Sequence, residues 1–123
     1  MAPAGSFHVL DPAKAKRMGA ATMYIPSPED IRIAILEIPR GETRTLLDIR
    51  RHLAIQNHAD ITCPSATTKY WKWVAGAAAE DPSDPVFGSV PYWRVLKDGK
   101  LSPYLPGGVL EQQRLLDLER VGV

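Results

Sequence analysis

Hydrophobic positions recur at helical spacing in several stretches of this chain and follow a strand-like pattern in one. Ile31, Ala34, Ile35 and Ile38 fall three and four residues apart, which predicts an amphipathic helix with Arg32 and Glu37 on its wet face. Ser27-Pro28-Glu29-Asp30 announces that helix with an N-cap serine, a proline at the first position and a carboxylate at the third, and Pro39 stops it. After the turn Pro39-Arg40-Gly41, Thr45 with Asp48 repeats the capping pattern and opens a short helix through Leu46, Ile49, Arg50 and Leu53. Residues 54–64 read as a connector. Ser65, Thr67 or Thr68 can cap a third helix through Tyr70, Val74 and Ala77 that ends near Asp81-Pro82. Val90 to Leu96 reads as a strand, Asp98-Gly99 as a hairpin turn and Leu101 as the start of a return strand. Beyond Gly107-Gly108, the spacing of Leu110, Leu115, Leu116 and Leu118 predicts a terminal helix packed on one side.

The expected fold class is therefore mainly α with a small β wing, a winged helix-turn-helix. Residues 1–25 carry no apolar period and read as an N-terminal arm or tail that need not be ordered, ahead of a domain over 26–123. A length of 123 residues suits one core, and 45% hydrophobic with 24% charged residues is a globular composition. No apolar run approaches the roughly 20 residues of a membrane span, and no secretory pattern opens the chain, so no membrane is expected and the cytoplasm is the default location. One cysteine, Cys63, and three histidines offer neither an internal disulfide nor a metal site, and no cofactor is expected.

Charge changes the picture more than its sum of +1 suggests. Between residues 40 and 72, Arg40, Arg44, Arg50, Arg51, Lys69 and Lys72 outnumber Glu42, Asp48 and Asp60, whereas Glu80, Asp81 and Asp84 gather in the next loop. A basic face beside an acidic neighbour fits a partner that carries phosphates.

Two ordered groups of residues carry a resemblance. Ile38-Pro39-Arg40-Gly41 with Thr45 and Ile49 resembles the turn that leads into the DNA-binding motif of alkylguanine DNA alkyltransferases. Pro91-Tyr92-Trp93-Arg94-Val95, then Asp98-Gly99, Leu101, Tyr104, Gly107 or Gly108, Leu115-Leu116 and Glu119, looks like that family's active-site segment and closing helix. Together they cover roughly residues 29 to 121. The family's segment reads proline, cysteine, histidine, arginine, valine, so Tyr92 stands at the cysteine position and Trp93 at the histidine position. Methyl transfer needs a thiolate. A phenol with a pKa near 10 does not replace it, and an indole only donates. The resemblance is thus to the alkyltransferase-like proteins, which bind alkylated DNA without repairing it and mark the lesion for other repair proteins.

That resemblance implies a non-enzymatic binder of double-stranded DNA that senses alkylated guanine. A recognition helix would enter the minor groove, and a flipped base would enter a former active-site pocket formed by Tyr92, Trp93, Arg94 and Glu119. Glu119 matches the carboxylate that orients the family's histidine. With Trp93 there it is expected to have nothing to orient and to make a local hydrogen bond or salt bridge instead. Lys72 falls at the family's intercalating arginine and Leu46 at its tyrosine, while either Asp81 or Asp84 takes the place of its hinge asparagine. Arg44, Thr68, Lys69, Lys72, Gly76 and Arg94 are the expected DNA contacts, on a small-residue helix face that includes Ala75 and Ala79. Trp71 and Trp73 read equally as core anchors or as groove wedges. Two rival readings stand: a degenerate module whose aromatic pocket binds a protein or small ligand, and a thiol enzyme using Cys63, which as a lone cysteine more simply packs.

Overall fold

A computed structural model of the chain describes residues 5–121. The two capping patterns form as read. In α2 (Pro28–Leu36), Ser27 Oγ accepts from the Asp30 amide at 3.1 Å while Asp30 Oδ2 accepts from the Ser27 amide at 2.9 Å. In α3 (Leu46–Gln56), Thr45 and Asp48 exchange the same two bonds at 3.1 and 2.9 Å. Each pair satisfies two donors that a helix start otherwise leaves unpaired. The apolar stripes turn inward: Ile31, Ala34 and Ile35 from the first, with buried Ile38 two residues past its end, and Leu46, Ile49 and Leu53 from the second.

α4 (Pro64–Glu80) begins earlier than Ser65, Thr67 or Thr68 would set it. Pro64 takes the first position because its fixed φ is already helical, and Cys63 stands at the N-cap without a side-chain bond. The Thr67 and Thr68 hydroxyls donate inside the helix, to the carbonyls of Cys63 at 2.8 Å and Pro64 at 3.1 Å. Fully buried Trp71, Val74 and Ala75 pack this helix on the core.

Residues 6–25, expected as an arm, hold strand β1 (Ser6–Val9), helix α1 (Pro12–Met18) and strand β2 (Thr22–Ile25). β1 pairs antiparallel with β2, and β2 pairs parallel with β4 (Ile61–Thr62) from inside the connector. Residues 1–4, which the same expectation covered, lie outside the described residues. Asp60 Oδ2 accepts from the amides of Ala21 and Thr22 at 2.9 and 3.1 Å, and Thr22 Oγ1 accepts from the Asp60 amide. The long connector is thus the partner of the N-terminal hairpin. Tyr24 reaches into the core, and its hydroxyl donates to Asp30 Oδ2 at 2.7 Å.

The strand expected over Val90 to Leu96 shrinks to β5 (Val95–Leu96), which pairs parallel with β3 (Arg44–Thr45). Tyr92–Arg94 instead forms a single 3-10 turn after Pro91, whose ring nitrogen has no proton to give a ladder. Asp98 and Gly99 both adopt positive φ, 54° and 72°, between the paired Lys97 and Lys100, which is the two-residue turn their dipeptide favours. No return strand follows among the described residues. The Ser102 amide bonds the side chain of Gln112 at 2.9 Å, and the Gln112 amide group donates to the carbonyls of Trp93 and Val95. Gln112 therefore serves where a second strand was expected.

α5 (Gly108–Val121) turns Gln112 and Leu116 inward. This corrects the expected leucine stripe, because Leu110 is 84% exposed and Leu118 53% exposed. The described residues form a small mixed α/β domain of five α-helices with a three-stranded and a two-stranded sheet. No helix among the described residues is long and apolar enough to cross a membrane.

Candidate nucleic-acid interface and aromatic cleft

Two clefts border α4. The larger, about 730 Å³, lies between the start of α3, the N-terminal half of α4 and the 97–100 hairpin. Arg50, Lys69, Lys72 and Lys97 line it against one carboxylate, Asp98. Both helices present their N-terminal turns there, Thr45 to Leu47 and Pro64 to Ser65. No side chain caps the first-turn amides of α4, so partial positive charge remains at that end. Four cations and the uncapped start of α4 around one groove favour an anion.

The expected contacts distribute unevenly over this groove. Thr68, Lys69 and Lys72 line it, and Lys72 Nζ rests 4.5 Å from the centre of the exposed Tyr104 ring. Gly76 continues the same face. A β-carbon there would meet nothing within 4 Å, so the open space along α4 is wider by one methyl group. Ala75 does not belong to this face, being fully buried against the core. Arg44 is exposed on β3 and lines a smaller neighbouring cleft with Glu37, Asp48 and His52. Arg50 and Lys97 were absent from the expected set. Arg50 sits one helical turn after Leu46, and Lys97 immediately precedes the Asp-Gly turn, so helix and hairpin geometry together could have indicated both.

The second cleft, about 460 Å³, runs along the C-terminal half of α4. Ala78, Ala79, Gly88, Tyr92, Trp93 and Arg114 are among the residues that line it. Tyr92 is buried, and its ring meets Trp93 edge-on with centroids 5.2 Å apart. Burial pushes the Tyr92 phenol above its ordinary 10.0, and the charge of Glu111 adds to this while Arg114 opposes it. The phenol therefore stays protonated at neutral pH. Trp71 is a core anchor whose Nε1 donates to the Tyr92 carbonyl at 3.2 Å, whereas Trp73 is half-exposed against Phe87.

Glu119 corrects the expectation that it would have nothing to orient. Its Oε1 accepts from Trp93 Nε1 at 2.9 Å and Arg94 Nε at 2.7 Å, and its Oε2 accepts from the Gly41 amide at 3.4 Å. Burial pushes the Glu119 carboxyl up, but the Arg94, Trp93 and Gly41 donors outweigh it and hold the group below the ordinary 4.5. Arg94 leaves the expected phosphate contacts for the same reason. Its guanidinium pairs with Glu119 and donates to the Ile38 carbonyl at 2.8 Å, with the side chains only 15% and 7% exposed.

Both aspartates of the acidic loop shape it: Asp81 Oδ1 accepts from the Ser83 amide at 3.1 Å and from its hydroxyl, and Asp84 holds the next turn. Asp84 Oδ1 accepts from the amides of Val86 and Phe87, and these bonds hold its carboxyl below the usual range. Gly88 went unnoticed in the sequence. A β-carbon there would stand 2.4 Å from the Pro82 carbonyl oxygen and 2.6 Å from that of Asp84. Cys63 Sγ lies 3.3 Å from Ser65 Oγ, and His52 pairs with Glu37 rather than with the thiol. Among the described residues no group of three histidine, cysteine or acidic side chains could hold a metal ion. Compared with family models, curated proteins and solved structures, the chain matches none.

Proposed function

We propose that this chain is a non-enzymatic DNA-binding domain of the alkyltransferase-like kind, a winged helix-turn-helix in which α4 is the recognition helix and the 97–100 hairpin the wing. The observation that carries this reading is the groove of about 730 Å³ where Arg50, Lys69, Lys72 and Lys97 face a single acid. Its cations and uncapped helix start suit a phosphate backbone, and the open face at Gly76 lets a backbone approach closely. The aromatic cleft farther along α4 suits a base turned out of the minor groove, with Tyr92 and Trp93 as apolar walls. A protonated, buried phenol cannot take an alkyl group, so the bound lesion would stay intact for other DNA repair proteins.

The test is a fluorescence-anisotropy titration at low salt with a plain duplex and with one containing alkylguanine. Binding to both, tighter to the alkylated duplex and weakened by salt, is the expected result. Absence of binding to either duplex removes the proposal. Equal affinity for both removes its lesion-sensing half.

A further inference from the structure

The N-terminal sheet ends in an open edge. β1 pairs with β2 on one side, and among the described residues no strand pairs with its other side. All four residues of β1 are exposed. Which backbone groups face outward follows from the bonds around them. The Leu10 amide donates to the Ala21 carbonyl at 2.9 Å, and the Tyr24 carbonyl is turned toward β4, where it accepts from the Cys63 amide at 2.8 Å. In an antiparallel ladder the residues that bond a given neighbour alternate. Ser6, His8 and Leu10 therefore bond toward β2, whereas the amides and carbonyls of Phe7 and Val9 point away from it.

The side chains of those two residues are uncovered as well. Phe7 stands opposite Tyr24 and Val9 opposite Thr22, so both lie on the sheet face from which Tyr24 enters the core. Phe7 is nevertheless 50% exposed and Val9 79%. Proteins blunt an edge strand with lysine, proline or a bulge, and the continuous register of Ser6-Phe7-His8-Val9 holds none of them.

The pattern of β1 fits a second copy of itself. A second β1, antiparallel about a two-fold axis at His8, sets Phe7 of each chain against Val9 of the other. These are the residues whose backbone groups point outward, so four hydrogen bonds form between aligned donors and acceptors. On one face each aromatic ring covers a β-branched side chain. An axis at Phe7 would leave Val9 opposite Gly5, and an axis at Val9 would leave Phe7 opposite Asp11. With the axis at His8, Asp11 meets Gly5 and no like charges oppose. We infer that this chain forms a symmetric dimer in which β1 pairs with β1 of a second copy, joining two three-stranded sheets into one of six strands. β1 lines neither cleft along α4, so the dimer does not depend on the DNA-binding reading.

Sedimentation equilibrium of the full chain over a concentration series is expected to show monomer and dimer in exchange. Val9→Pro removes an outward N–H and no bond to β2, and Phe7→Lys with Val9→Lys sets like charges opposite each other. Each is expected to weaken association about tenfold or more while circular dichroism stays that of the wild type. In a Cys63→Ala background, His8→Cys is expected to link two chains by a disulfide under oxidised glutathione. Residues opposed at a non-hydrogen-bonded position have α-carbons about 4.5 Å apart, within disulfide reach. Phe7→Cys and Val9→Cys should stay unlinked, because neither opposes its own copy. A monomer at every concentration, undiminished association of both edge variants, or a His8→Cys chain that links no better than the other two overturns the inference.

Discussion

Trp93 donates its indole Nε1–H to the carboxylate of Glu119 across 26 residues of chain at 2.9 Å, and Arg94 shares the same oxygen. The bond closes the C-terminal helix over the segment that carries Tyr92. Replacing the carboxylate by a methyl group would leave the Arg94 guanidinium buried without its counter-charge. Glu119→Ala is expected to cost about 3 kcal/mol in chemical denaturation. Arg94→Met together with Glu119→Leu is expected to recover much of that loss, because no uncompensated charge then remains.

The same pair sets an acid limit. Because the folded-state pKa of Glu119 lies below 4.5, its contribution is fully present above that value and is lost as pH falls through the lower folded value. Thermal melts of the wild type and of Glu119→Gln should therefore differ most near neutrality and converge at low pH. Divergence that grows on acidification contradicts this assignment.

Asp60 holds the connector to the N-terminal hairpin through the amides of Ala21 and Thr22. Those two bonds keep its carboxyl below the ordinary 3.8, so the tie loosens only in strong acid. Asp60→Ala should raise hydrogen exchange at Ala21 and Thr22 while leaving the amides of α2 protected. Uniform loss of protection would mean that the hairpin is inseparable from the core.

Two glycines give opposite expectations. Gly88→Ala forces a β-carbon onto backbone oxygens and should destabilise by about 1–3 kcal/mol, with loss of the Trp73–Phe87 contact from near-ultraviolet circular dichroism. Gly76→Ala meets open space inside a helix and should stabilise by about 0.8 kcal/mol. If α4 is the surface that meets DNA, the same alanine weakens duplex binding, so stability and affinity move apart.

On the proposed function, each groove cation paired with phosphate steepens the salt dependence. Lys72→Ala and Lys97→Ala should each lower the slope of log affinity against log salt by about 0.9. Arg94→Ala should leave that slope unchanged, since its charge is already spent on Glu119. Incubation with alkylguanine DNA should leave the peptide that spans residues 91–95 unmodified by mass spectrometry.

Local chemistry alone determined much of this protein. Ser27 with Asp30 and Thr45 with Asp48 specify their helix starts because both partners of each capping box lie within one turn, and Asp98-Gly99 specifies its turn because both residues tolerate positive φ. The inward faces of α2 and α3 follow from spacing alone. Tertiary structure decided the rest. β2 finds its parallel partner in a connector 38 residues away, so its strand was invisible to a window of local pattern. Gln112 took the place of a return strand because a buried amide side chain can bond three backbone groups on two segments, which hydrophobic spacing does not encode. The same reason governs the interface and cleft. Which arginines face a groove and which are neutralised inside depends on neighbours distant in sequence, and only the folded chain brings Glu119 to Arg94.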